Sequence, residues 1–79
     1  MFHVHILRSD KDGKRYIGFT ANLERRLLEH HTGCVTSTKN RRPLQLIYSE
    51  TFSDKIDAEK REKFFKSGRG RVELKLMGL

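Results

Sequence analysis

Phe2-His3-Val4-His5-Ile6-Leu7-Arg8-Ser9-Asp10-Lys11-Asp12-Gly13-Lys14-Arg15-Tyr16-Ile17-Gly18-Phe19 is the stretch on which the reading of this chain turns. Residues 2–8 alternate, with Phe2, Val4 and Ile6 on one side and His3, His5 and Leu7 on the other, the two-residue period of a half-buried strand. Ser9 to Lys14 is polar and holds Gly13, which reaches positive φ without steric penalty, so it reads as a hairpin turn. Arg15 to Phe19 then supplies the returning strand.

Beyond the hairpin the period changes. Leu23, Leu27 and Leu28 predict a helix over about 23–31 with these leucines inward, capped by Asn22 and followed by Gly33 where a left-handed C-terminal residue belongs. A polar loop from Thr32 to Pro43 carries Lys39, Arg41 and Arg42, and Pro43 marks the start of a third strand, Leu44 to Glu50. Ser53 or Asp54 is placed to cap a second helix through Ile56, Ala58, Phe64 and Phe65, closed by Gly68. Arg69-Gly70-Arg71 leads into a short terminal helix with Leu74, Met77 and Leu79. The order β-β-α-β-α-α, without linker or repeat, predicts one α+β domain over 1–79.

Charge narrows the function classes. Lys and Arg number 17 against 10 Asp and Glu, a formal +7 in 79 residues, and a basic domain this small commonly binds nucleic acid, the plain alternative being a solubilising surface. The basic residues are spread along the chain, and no helix gathers them beside a broad apolar face, which argues against a membrane surface. The opening Met1-Phe2-His3-Val4-His5 lacks a basic segment and a long apolar run, so a cytoplasmic location is expected. Cys34 is alone in a polar Thr32–Thr36 loop and is expected to have no catalytic or metal role.

Three polar positions fall among core positions. Arg26 lies three after Leu23 and four before His30, so arginine and histidine share one helix face. Glu62 is four after Ala58 and three before Phe65, which aims a carboxylate from a partly apolar face toward a partner or a metal. Tyr16 projects opposite Ile17 and next to Gly18, whose missing side chain lets another group approach. Taken singly, each also reads as a rim or surface residue. Phe19, Tyr48 and Phe52 read either as core or as platforms for a splayed base.

Together these segments resemble the GIY-YIG nuclease domain, in particular the small stand-alone bacterial members related to the N-terminal domain of the excision-repair nuclease. Tyr16-Ile17-Gly18 is similar to the second half of the signature, Asn22–His30 to the helix bearing the family's arginine and histidine, Ala58–Lys66 to the helix bearing its metal-binding glutamate, and the Ser37–Pro43 and Lys66–Arg71 segments to those stand-alone members. The first half of the signature reads His3-Val4-His5, so His5 stands where a tyrosine is usual, and no asparagine follows residue 68 where some members carry one.

The resemblance implies a three-stranded antiparallel sheet flanked by helices and a structure-directed DNA endonuclease linked to repair or recombination. It implies Mg²⁺ or Mn²⁺ held by Glu62, and Tyr16 as the group that takes a proton from the attacking water. Arg26 would neutralise phosphoryl charge, His30 would position water or phosphate, and His5 would occupy the tyrosine's place, with an ordinary imidazole pKa of about 6.5 suited to a base. Lys39, Arg41, Arg42, Arg69 and Arg71 would follow the nucleic-acid backbone. The expected partner is single-stranded, branched or damaged DNA, with RNA left open, no membrane, and a repair protein as a further partner. Two other classes stand beside this: a GIY-YIG-fold binding module that no longer cuts, and a zinc protein using His3, His5, His30 and His31.

Overall fold

The computed structural model describes residues 1–79. Its strands are β1 (Phe2–Ser9), β2 (Arg15–Thr20) and β3 (Leu44–Phe52), and its helices α1 (Leu23–His31), α2 (Lys55–Lys66) and α3 (Gly68–Leu76), with a 3₁₀ turn at Lys39–Arg41. The strands form one antiparallel sheet in the order β2-β1-β3, so the first strand of the chain is the central one. The predicted β-β-α-β-α-α arrangement is the one observed.

The central place of β1 overturns its reading as half-buried. Val4, His5, Ile6 and Leu7 are all fully enclosed, because both faces of the sheet are covered. On one face Val4 and Ile6 join Ala58 and Phe65 of α2 and Leu74 of α3 in the core, with Ile17, Phe19, Tyr48 and Phe52 packed around them. Phe19, Tyr48 and Phe52 pack against this core while staying partly exposed. On the other face lie His5, Leu7, Tyr16 and Gly18, covered by α1 and the loop after it, whose Val35 and Thr38 are buried. A bulge at Ile47 of β3 shifts the register between Ile6 and Leu7, pairing Ile6 with Tyr48 but Leu7 with Leu46.

Local chemistry sets the helix ends. The Asn22 side chain accepts from the Arg25 amide at 3.1 Å, and Gly33 follows α1 at φ +82°. Leu28, expected inward, is 62% exposed, since the inward face runs through Leu23, Leu27 and the buried His30. Asp54, rather than Ser53, caps α2. Gly68 does not close α2 but begins α3: Ser67 separates the two helices, its hydroxyl donating to the Phe64 carbonyl and accepting from the Gly70 amide at 3.2 Å. Arg69 and Arg71 therefore stand on a helix.

Two further ties complete the frame. Arg61 reaches Glu50 at 2.8 Å and lies 4.2 Å from the centre of the Phe65 ring, fastening α2 to β3. Burial works against the Glu50 charge, but Arg61 and the Tyr48 hydroxyl outweigh it and hold the carboxyl below its ordinary range. At the hairpin, Arg41 meets Asp12 at 2.9 Å and donates to the carbonyls of Lys14 and Arg15, so the 3₁₀ turn is bound to the tip of the β1–β2 hairpin.

Where α3 crosses α2, a Cβ on Gly70 would stand 1.9 Å from the Phe64 carbonyl oxygen, whereas one on Gly68 would meet nothing within 4 Å. Gly70→Ala is therefore expected to destabilise by about 3 kcal/mol or more through backbone overlap, and Gly68→Ala to be neutral or stabilising by about 0.5 kcal/mol. Urea unfolding of the two variants checks this; equal effects would show that the helix crossing does not depend on the missing side chain.

Candidate active site

The sheet face opposite α2 gathers the signature residues. His5 pairs with Gly18 across the ladder, and a Cβ on Gly18 would lie 3.1 Å from His5 Nε2, 3.2 Å from its Cε1 and 3.3 Å from Tyr16 Cε2. The glycine is thus the space into which two rings lean. Tyr16 stands two residues earlier on the same face, as strand alternation requires. The last turn of α1 brings in His30: ring centres are 4.9 Å apart for Tyr16 and His30, 5.8 Å for His5 and His30, and 6.3 Å for His5 and Tyr16. Arg26, one turn earlier on α1, lies beside Tyr16 and donates to Glu29 at 3.2 Å.

The charges are sharply divided. His5 is fully enclosed, neither ring nitrogen has a hydrogen-bond partner, and burial, reinforced by His30 and Arg26, lowers its pKa to about 4. His30 Nδ1 pairs with the Thr38 hydroxyl at 2.8 Å, its Nε2 is unpartnered, and burial followed by the Arg26 charge pushes its pKa down as well. Burial opposes the charge on Arg26, but the Glu29 carboxylate and the Tyr16 phenol outweigh it and raise its pKa. At neutral pH the site holds two neutral imidazoles and one fixed cation beside the Tyr16 ring. This set can place a water, receive a proton and neutralise an oxyanion.

Glu62 comes from the other side of the sheet. Successive helical residues turn by about 100°, so with Ala58 and Phe65 against the sheet, Arg61 flanks them toward β3 and Glu62 flanks them toward β2. Its side chain is 17% exposed and its one charged partner is Lys66 at 3.6 Å, one turn on. Lys66 lines a groove of about 680 Å³ together with Tyr16, Ile17, Arg8, Lys14, Arg15 and Arg71. Lys66, one turn after Glu62, therefore shares this groove with Tyr16, while Glu62 itself does not line it.

The expected backbone-tracking residues separate. Lys39 and Arg42 line a second concavity with Lys11 and His31, while Arg42 also donates to the carbonyls of Lys39 and His31. Arg41 is occupied by Asp12 and two carbonyls, Arg69 is exposed on α3, and Arg71 reaches the Tyr16 groove. The four histidines do not gather as one set: His5 and His30 meet, but His3 bonds to Thr51 at 3.1 Å and His31 is exposed, and no three His, Cys, Asp or Glu side chains converge, so the arrangement does not support the zinc alternative. Cys34 is exposed and free.

Sequence reasoning missed Thr38, Lys66, Arg8 and Arg15. Thr38 sits in a loop whose path the local sequence leaves open. Arg8 and Arg15 were within reach, since strands over 2–8 and 15–19 joined by a symmetric turn place them directly opposite, as the register shows.

A family model described as the GIY-YIG catalytic domain matches residues 1–75. The chain is 48% identical over 69 residues to a UPF0213 protein of Lactiplantibacillus plantarum, covering 84% of this chain and 68% of that one. It is 38% identical over 76 residues to a UPF0213 protein of Staphylococcus saprophyticus, covering 95% and 92%. The solution NMR structure of a UPF0213 protein from Bacillus halodurans superposes with a TM-score of 0.59 at 32% identity, over 98% of this chain and 85% of that one. The family match runs through the strand of Tyr16 and Gly18 and through both helices that carry Arg26 and Glu62, so this chain belongs to the GIY-YIG nuclease family.

Proposed function

We propose that the protein is a divalent-metal-dependent endonuclease that hydrolyses DNA phosphodiester bonds, directed by the shape of the nucleic acid and serving repair or recombination. The observation that carries this reading is the convergence of Tyr16, His30 and Arg26 on one sheet face, with Lys66, the ion-pair partner of Glu62, lining a groove together with Tyr16. Family membership supports nuclease chemistry and the use of a divalent metal. The donor chemistry fits: Glu62 offers a hard oxygen ligand whose charged partner is the half-exposed Lys66, and Mg²⁺ is commonly held by one or two carboxylates with water and substrate phosphate.

When bound, the cation supplies Lewis-acid stabilisation of the leaving oxygen. The chain's own groups do the rest. Tyr16 sets its oxygen against the attacking water and draws off its proton, with the neutral His30 imidazole beside it able to receive it. Arg26, held charged, faces the oxyanion that builds as the water oxygen bonds to phosphorus and the ester oxygen leaves. Thr38 fixes the His30 ring through Nδ1 and leaves Nε2 as the free nitrogen. His5, enclosed against Gly18, closes the site from the sheet side in the place where the family usually carries a tyrosine.

Tyr16→Phe and Glu62→Ala are each expected to lower cleavage by about 100-fold or more, read on labelled single-stranded, duplex and branched DNA with Mg²⁺ or Mn²⁺ against an EDTA control. Binding without cutting, indifferent to both substitutions, would instead make the protein a nucleic-acid-gripping module on this fold.

The buried imidazoles also set a pH dependence. The folded pKa of His5, about 4, lies below the unfolded value of about 6.5, so between these values the unfolded chain binds the extra proton. Stability is full above pH 6.5 and falls as the pH drops toward 4, by about 3 kcal/mol from this residue. The lowered His30 pKa acts in the same direction. In His5→Gln, the fall in unfolding free energy between pH 7 and pH 4 is expected to shrink by about that amount; an unchanged pH profile would mean that His5 is not kept neutral by the fold.

A further inference from the structure

We propose that the groove between the strand ends and the α2–α3 junction binds one single strand of nucleic acid through successive phosphates, and that Arg8 and Arg15 are its principal phosphate ligands. This rests on the nuclease reading only for where the strand goes next, since the groove opens directly onto Tyr16.

The charged side chains that line the groove are of one sign. Arg8, Lys14, Arg15, Lys66 and Arg71 line it and no Asp or Glu side chain does. Elsewhere the guanidinium groups tend to be matched, Arg25 and Arg26 by Glu29, Arg41 by Asp12, and Arg61 by Glu50 and Glu73. Arg8, Lys14, Arg15 and Arg71 have no acidic side chain within 4 Å.

Arg8 and Arg15 are also directly opposite in the β1–β2 ladder. Like charges at directly opposed positions repel and destabilise a sheet, and a bound anion reverses the sign of that interaction. Their donors already converge on one acceptor position: Arg15 Nε and Arg8 Nη2 reach the Leu79 main-chain oxygen at 3.0 and 3.4 Å. A phosphate oxygen can take the place of that acceptor, and arginine suits it by planar, multiple donation.

The volume of about 680 Å³ lies within the roughly 300–1,000 Å³ typical of small-ligand sites, room for a short segment of one strand. Because Lys66 lines the groove and also pairs with Glu62, the phosphates bound here lie next to the turn that would hold the metal. The strand that carries the scissile phosphate thus enters or leaves Tyr16 through this groove.

The test is fluorescence-anisotropy titration of a labelled single-stranded oligonucleotide in EDTA, where nothing is cut, across a range of NaCl concentrations. Arg8→Gln/Arg15→Gln is expected to weaken binding at least 10-fold and to lower the slope of log affinity against log salt by about 1.4, from about 0.7 per phosphate contact on a single strand. Lys39→Gln/Arg42→Gln, in the other concavity, is expected to change both less. If the first pair does not fold, Lys14→Gln/Arg71→Gln, two exposed positions, should lower affinity and slope in the same direction. Unchanged affinity and slope in a folded groove variant would overturn the proposal. A wild-type protein that binds through the groove but never cuts would sink the nuclease reading alone, and one that cuts while its groove variants bind like wild type would sink the groove alone.

Discussion

β1 is hydrogen-bonded along both edges and covered on both faces, and the architecture hangs on that strand. A strand so placed cannot leave polar groups facing solvent on alternate residues, so everything on His5's side must be accommodated inside the protein. Gly18, opposite His5, removes the side chain that would occupy that space. The rings of His5, Tyr16 and His30 then meet where an ordinary sheet would hold aliphatic residues. The function-bearing face is in this sense a second core, built of polar rings and closed by α1 and the loop through Thr38.

The electrostatics follow from this enclosure. Two imidazoles kept neutral by burial lie next to Arg26, whose charge is sustained by Glu29 and Tyr16. The same division runs through the molecule. Cations with acidic partners act as fasteners: Arg61 ties α2 to β3, and Arg41 ties the 3₁₀ turn to the hairpin tip. Arg8, Lys14, Arg15 and Arg71, which have no acidic side-chain partner, line the groove that reaches Tyr16. The formal +7 of the chain thus divides, once folded, into cations that tie elements together and cations that face solvent or the groove.

Much of the frame was readable because its signals are local. The alternation of residues 2–8, Gly13 in the turn, Asn22 before Leu23 and Pro43 before Leu44 each act within a few residues, and each element appears where these signals put it. The errors came where two signals competed or where burial decided. Gly68 read as a stop, but Ser67 serves both helices, ending one and capping the next. Leu28 read as core by its chemistry, yet the inward position went to His30, which has ring partners on the sheet.

By itself the sequence determined the order and type of the elements, the family, and the face that Arg26 and His30 share, because these depend on backbone period, capping and short spacing. Only the tertiary structure decided that β1 is central, that His5 is enclosed and uncharged, that Arg41 is a fastener, and that Arg8 and Arg15 line the Tyr16 groove without an acidic side-chain partner. Those outcomes depend on which residues, distant in the chain, exclude water from one another or neutralise one another. Desolvation and ion pairing are properties of three-dimensional neighbours, and local sequence does not carry them.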